Sequence, residues 1–138
     1  MTGENRRQNA SDELARAERC MEEARTLAGA QLPYGAASRA YFAVFHSARA
    51  LLFSVGLEPT SHKGLVSMIG DHFVRSGQLS PAMGRLVSRM QRDREDADYE
   101  PGAVFTGEQA SQLIADAETF LAEARRLVAL NADRPGDA

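Results

Sequence analysis

The chain of 138 residues has one cysteine, one lysine and no tryptophan. Because Cys20 is alone, no internal disulfide and no thiolate metal cluster can form within one chain. The longest apolar run is interrupted by Arg39, His46 and Arg49, so no stretch reaches the length of a membrane span. The first thirteen residues also lack the apolar segment of a signal peptide. We therefore expect a cytoplasmic protein without a membrane segment.

The overall composition is that of one globular domain. Hydrophobic residues make up 43% of the chain and charged residues 25%, and the length suits one well-formed core but not two. The net charge is −1 over residues 1–38, +5 over 39–92 and −7 over 93–138. Two interpretations stay open, since a basic middle segment attracts phosphate, whereas solvated helix faces are charged in any protein.

Apolar residues recur at helical spacing throughout, without an alternating strand pattern. The sequence predicts an all-α fold, an antiparallel up-and-down bundle of four longer helices and one shorter helix. We expect a single domain over residues 11–130, with disordered residues 1–10 and 131–138. The predicted helices cover residues 11–28, 33–56, 61–77, 80–97 and 106–130.

Helix starts are marked by residues whose side chains accept a hydrogen bond from the first turn. Ser11 is the predicted cap of the first helix. Ser80 followed by Pro81 is typical of a helix start, and Thr106 with Gln109 forms a capping box for the last helix. These local signals predict where the three helices begin.

The second predicted helix carries basic side chains along a face that is otherwise apolar. In helical projection Arg39, His46 and Phe53 fall close together, with Phe42 and Arg49 beside them. Arg39 and His46 are two turns apart, roughly 10 Å along the axis, so they can flank one phosphate but not bind a single atom together. The alternative is that the arginine side chains extend to the surface and His46 caps a carbonyl.

The fourth predicted helix places Arg94 inside its apolar stripe. A guanidinium there needs a carboxylate, a phosphate or several carbonyls. Asp98, four residues later, is the best-placed carboxylate. Arg94 and Asp98 therefore form either a structural ion pair or a ligand-binding arginine held in position.

Ser61, His62, Lys63 and Gly64 lie at the predicted start of the third helix. Free backbone N–H groups, an imidazole and an ammonium together favour an anion site. His72, further along this helix, falls in line with its apolar residues, and we expect it in the core. No motif for a metal ion, a phosphate-binding glycine loop or a nucleophilic serine occurs, so we expect no metal and no cofactor.

Three segments now come together: S-R-A-Y-F-A-V-F-H-S-A-R-A-L-L at Ser38–Leu52, S-H-K-G at Ser61–Gly64, and R-E-D-A-D-Y at Arg94–Tyr99. Their order and spacing resemble the HEPN domain (higher eukaryotes and prokaryotes nucleotide-binding), in its short prokaryotic single-domain branch. The resemblance implies a helical bundle that forms a homodimer, with basic residues of two protomers in a shared cleft. It also implies a partner, a minimal nucleotidyltransferase encoded nearby, in a toxin–antitoxin or nucleotide-handling pair.

Many relatives of this kind are metal-independent endoribonucleases that use an arginine and a histidine with four to six residues between them. In this chain Asp98 stands near the expected histidine after Arg94, and an ionised carboxylate cannot donate a proton to a leaving oxygen. Arg39 and His46 have the required spacing, but on a different helix. In some paired members, a tyrosine just beyond the histidine receives a nucleotidyl group. Tyr99 keeps the position of that tyrosine.

Three functional hypotheses follow. The first is a module that binds a nucleotide or an RNA phosphate and acts with the nucleotidyltransferase; Asp98 orients Arg94, and Tyr99 is the candidate acceptor. The residues expected to bind the nucleotide or phosphate are Arg39, Arg49, His62, Lys63, Arg94 and Asp98, and the arginines and Lys63 supply the positive charge. The second is a metal-independent endoribonuclease with His46 as general acid and base and Arg39 and Arg94 as stabilisers of the transition state. The third is a structural helical adaptor.

Overall fold

The computed structural model describes residues 2–99 and 105–132, and for residues 97–99 it describes the backbone alone. Over these residues the secondary structure is entirely helical, which confirms the all-α prediction. The helices are α1 (Gly3–Gly29), α2 (Pro33–Ser54), α3 (His62–Ile69), α4 (Pro81–Gly84), α5 (Leu86–Tyr99) and α6 (Gly107–Ala132). A π-helical turn, Gly70–Val74, continues directly from α3.

Helix α2 is the centre of the packing. It contacts α1 and α6 most extensively and also packs against α3 and α5. Fully buried alanines on α2, among them Ala40, Ala43 and Ala48, add little bulk and let the neighbouring helices come close. The largest fully buried side chains are Phe73, Phe120, Met21, Leu51 and Leu52. Among the described residues, no helix combines the length and apolar character needed to cross a membrane.

Helix α1 begins earlier than the sequence predicts. Its cap is Thr2, whose hydroxyl accepts a hydrogen bond from the Asn5 backbone N–H at 3.1 Å. Ser11 therefore lies within α1 and does not cap it. Residues 3–10, which were expected to precede the folded domain, form the first part of α1, because Ala10 is buried against α2. Residues 133–138 lie outside the described part of the chain.

The predicted caps Ser80 and Thr106 are confirmed, and Ser61 caps α3 at its predicted start. The hydroxyls of Ser61 and Ser80 accept hydrogen bonds from backbone N–H groups three residues later, at 2.9 and 3.1 Å. Thr106 and Gln109 form both bonds of the capping box, at 2.9 and 3.1 Å.

The fourth predicted helix is divided at Arg85 into α4 and α5. Backbone hydrogen bonds from Arg85 to Pro81 and from Arg89 to Arg85 carry the helical pattern across the division. The interruption is thus a single residue. The predicted loop before α6 falls mostly on residues 100–104, outside the described residues.

The prediction that His72 lies in the core is wrong: His72 is exposed, and Phe73 beside it is 1% exposed. The reason is the π-helical turn, which adds a residue to the helical repeat and rotates the following side chains. The line that begins with Leu65 and Ile69 is therefore completed by Phe73.

Candidate functional site

Two arginines from different helices meet at one aromatic ring. The guanidinium carbon of Arg39 (α2) lies 4.8 Å from the centroid of the Phe42 ring, and that of Arg94 (α5) lies 5.1 Å from the same centroid. Arg94 also lies 4.9 Å from the centroid of Tyr41. We call Arg39, Tyr41, Phe42 and Arg94 the two-arginine site. The structure therefore brings together Arg39 of the second predicted helix and Arg94 of the fourth.

Among the described side chains, neither Arg39 nor Arg94 forms the ion pair with a carboxylate that a partly buried cation normally has. The Nε atom of Arg94 is buried and has no hydrogen-bond acceptor within the described part of the molecule. The predicted partner Asp98 lies outside the described side chains, as does Tyr99. The aromatic faces give the two cations a favourable electrostatic contact but no hydrogen bonds.

Tyr41 joins α2 to α5 beneath the two arginines. Its hydroxyl donates a hydrogen bond to Gln91 Oε1 at 2.8 Å, and Gln91 Nε2 donates in turn to Glu95 Oε1 at 2.8 Å. Burial raises the pKa of Tyr41, Arg94 lowers it and Glu95 raises it, with a net increase. The phenol is therefore neutral at physiological pH and stays a hydrogen-bond donor. This bond fixes the ring against which Arg94 lies.

A second polar group on α2 is organised by a buried carboxylate of α1. Glu13 is 2% exposed, and its Oε2 lies 2.7 Å from His46 Nδ1 and 3.5 Å from Arg49 Nε. Its Oε1 accepts a hydrogen bond from Arg16 Nη1 at 2.6 Å. We call these four residues the Glu13 cluster. His46 is thus held by a carboxylate, in a cluster different from the two-arginine site.

The electrostatics of this cluster keep Glu13 ionised. Burial alone would raise the pKa of Glu13, but the His46 hydrogen bond and the positive charges of His46, Arg49 and Arg16 together lower it. The carboxylate therefore accepts the hydrogen bond, and Nδ1 of His46 carries the proton. The other ring nitrogen of His46, Nε2, takes no part in this bond.

Sequence reasoning missed Glu13, although a signal was present. Glu13 lies between Ala10 and Ala17 at the three- and four-residue spacing of the apolar stripe of α1. An acidic residue inside such a stripe needs a cationic partner on a neighbouring helix. The same reasoning applies to Arg94, a cation that needs an anionic partner. The partner His46 is 33 residues away in the chain, which spacing alone does not reveal.

The predicted anion site at the start of α3 is separated by the structure into two parts. His62 is partly buried, with its ring centroid 6.3 Å from that of Tyr41. Lys63 is exposed and makes no ion pair among the described residues. His62 therefore lies beside the two-arginine site, and Lys63 does not share its contacts.

An open cavity of about 360 Å³ lies at another place, between the first turns of α1 and the end of α6. Arg6 and Arg7 lie at its edge, and Leu14 and Val128 contribute apolar surface. The hydrogen bond from Asn131 Nδ2 to Ser54 Oγ, 2.9 Å long, is on its floor. No residue of the two-arginine site lines it.

Comparison with known proteins now decides the family. A family model described as the HEPN domain matches residues 10–127. The chain belongs to the HEPN domain family. It is 37% identical over 105 residues to a Methanocaldococcus jannaschii protein named "Putative toxin MJ0605", covering 76% of this chain and 78% of the relative. It is also 34% identical over 119 residues to the Gloeobacter violaceus "UPF0332 protein glr0978", covering 86% and 94%.

A Thermotoga maritima "UPF0332 protein" is 30% identical over 113 residues, covering 82% of this chain and 86% of the relative. The family expected from the three sequence segments is thereby confirmed. The HEPN match includes all of α2, where Arg39 and Phe42 lie, and all of α5, where Arg94 lies. The two-arginine site is therefore part of the HEPN domain.

Proposed function

We propose that this HEPN protein is the toxin-like member of a two-component pair, and that it binds the phosphate of a nucleotide or an RNA at the two-arginine site. Its partner is a minimal nucleotidyltransferase encoded nearby. The observation that carries the proposal is the meeting of Arg39 and Arg94 at the Phe42 ring, where neither has a carboxylate partner among the described side chains.

A phosphate group fits what these two side chains lack. Guanidinium groups bind phosphate oxygens through paired N–H donors, and such charge-assisted bonds are stronger than neutral ones. A ligand oxygen near Arg94 would give an acceptor to its Nε atom, which has none among the described residues. The phosphate charge would also offset the cost of holding two positive charges close together. Arg49, on the same helix as Arg39, and Lys63, next to His62 in the chain, add positive charge that steers an anion towards α2.

The toxin-like role is supported by relatives. Two of the similar proteins of Methanocaldococcus jannaschii carry the word toxin in their names, at 37% and 24% identity. The nucleotidyltransferase partner comes from the resemblance of the three sequence segments alone. In this pairing Tyr99 is the proposed acceptor of a nucleotidyl group, and the homodimer stays a prediction.

Binding is tested with a fluorescently labelled single-stranded RNA and with adenosine 5′-monophosphate (AMP). We expect Arg39→Gln and Arg94→Gln each to weaken binding about tenfold or more, since each removes charge-assisted hydrogen bonds. Arg92→Gln is the matched control. Arg92 is exposed on α5, the helix of Arg94, and forms no ion pair with a described residue. Equal affinity of the three variants would overturn the proposed site.

Pairing is tested with the product of the neighbouring nucleotidyltransferase gene. Expression of this chain alone should slow growth, and co-expression with its neighbour should restore it. Incubation of the two proteins with ATP should increase the mass of this chain by one nucleotidyl group, and Tyr99→Phe should abolish the increase. Unimpaired growth together with an unchanged mass would contradict the pairing.

A second function, metal-independent RNA cleavage, is favoured by the Glu13–His46 pair. A carboxylate that orients an imidazole through Nδ1 leaves Nε2 free for proton transfer, which is a recurring arrangement of catalytic bases. Cleavage in excess chelator that is lost in His46→Ala and Arg94→Ala would support this function. Binding without cleavage supports the binding module, and neither activity would favour the adaptor.

A further inference from the structure

We propose that His62 is a third ligand-binding residue of the two-arginine site and donates a hydrogen bond to the bound phosphate. This inference rests on the proposed function and extends it. It places an imidazole contact on α3, since no histidine follows Arg94 in the sequence.

The first argument is position. The ring centroids of His62 and Tyr41 are 6.3 Å apart, with an angle of 34° between the ring planes. The guanidinium carbon of Arg94 lies 4.9 Å from the centroid of the same Tyr41 ring. The Tyr41 ring of α2 thus has both His62 of α3 and Arg94 of α5 beside it. His46, in contrast, is held by Glu13.

The second argument is hydrogen bonding. Among the described residues, His62 Nε2 and Arg94 Nε are buried side-chain atoms without a hydrogen-bond partner. Both belong to side chains that adjoin the Tyr41 ring. Buried polar atoms without a partner cost free energy, and native proteins contain few of them. Two such atoms beside one ring therefore indicate a ligand. Phosphate oxygens are acceptors that both atoms can use.

The third argument concerns charge. Burial lowers the pKa of His62, Glu95 raises it and Arg94 lowers it, with a net decrease. The imidazole is therefore neutral at physiological pH and has one donor and one acceptor nitrogen. A neutral donor adds a hydrogen bond to the phosphate without adding a third positive charge beside the two arginines. Access is possible because His62 is only partly buried, at the first residue of α3.

The chain offers an internal comparison, because it has three histidines in three environments. His62 adjoins the two-arginine site, His46 is held by Glu13, and His72 is exposed. We would label the histidine rings of the full chain with ¹⁵N and titrate it with AMP. The ring nitrogen signals of His62 should move most, those of His72 should stay unchanged, and the His62 movement should disappear in Arg94→Gln.

Affinity gives the second measurement. His62→Leu should weaken AMP binding about tenfold, the usual effect of losing a hydrogen bond to a charged group, because leucine has no donor. His72→Leu is the matched control and should bind as the unaltered protein does. Because His62 is at the surface end of α3, circular dichroism should show the same helix content in both variants.

The outcomes separate the inference from the proposed function. If AMP binding depends on Arg39 and Arg94 while the His62 signals and the His62→Leu affinity are unchanged, the His62 inference is wrong and the two-arginine site stands. If the protein does not bind AMP or RNA at all, both are wrong.

Discussion

Replacement of Glu13 is the perturbation whose effect the structure defines best. Glu13 is 2% exposed, and its carboxylate contacts the His46 ring and two cationic side chains, those of Arg16 and Arg49. Removing one member of a buried ion pair costs about 3–5 kcal/mol when the remaining charge stays buried. Here the three partner side chains are 21% (His46), 53% (Arg16) and 28% (Arg49) exposed, so water can solvate them in part.

This partial exposure reduces the expected cost. We expect Glu13→Ala to lower the free energy of unfolding by about 2–3 kcal/mol, from lost charge-assisted hydrogen bonds and a small cavity. Glu13→Gln keeps the shape and one acceptor oxygen, and should cost about 1–2 kcal/mol. The assay is urea unfolding followed by circular dichroism. Glu22→Gln, at an exposed position of the same helix, is the control and should have almost no effect.

The Glu13 cluster also predicts a dependence on pH. Because the pKa of Glu13 is lowered in the folded protein, the ionised carboxylate stabilises the fold at every pH above the ordinary glutamate value. That contribution is lost as the pH falls through the lowered value. The stability difference between the unaltered protein and Glu13→Gln should therefore shrink on the acid side. A difference below about 0.5 kcal/mol at neutral pH, or one that grows with acid, would refute the reasoning.

Three further predictions concern the scaffold and use the same unfolding assay. Phe73→Ala should cost about 3–5 kcal/mol because Phe73 is fully buried, while His72→Ala should be nearly neutral; equal effects would contradict the rotation assigned to the π-helical turn. Gly77→Ala should cost about 1–2 kcal/mol through backbone strain alone, since Gly77 has φ +82° and a Cβ there meets no atom within 4 Å. Asn131→Ala should cost about 1–3 kcal/mol, because Asn131 is 2% exposed and donates to Ser54; a neutral result would show that water replaces this bond.

Local chemistry made much of the fold predictable. The caps formed by Ser61, Ser80 and Thr106 depend on residues within one helical turn, and so they can be read from the sequence. The start of α1 could not be fixed in this way, because Thr2 and Ser11 are both suitable caps. The packing of Ala10 against α2 decides between them.

The environment of His72 was beyond the sequence for another reason. Its position relative to Ile69 assumes a constant helical repeat, and the π-helical turn changes that repeat by one residue. A deviation of this kind is set by packing around the turn and leaves no periodic signal.

The candidate site was predictable in its residues but not in its grouping. Arg39, His46 and Arg94 stand out because each is a polar residue on an apolar face. Which of them share a partner depends on contacts between helices that are distant in sequence. The structure groups Arg39 with Arg94 at Phe42, and pairs His46 with Glu13.

A crystal structure of the protein bound to AMP tests the central claim most directly. The account predicts that the phosphate lies between the guanidinium groups of Arg39 and Arg94, beside the Phe42 ring, with an oxygen within hydrogen-bond distance of Arg94. AMP bound instead in the cavity near Arg6 and Arg7, or with its phosphate on the Glu13 cluster, would contradict the account.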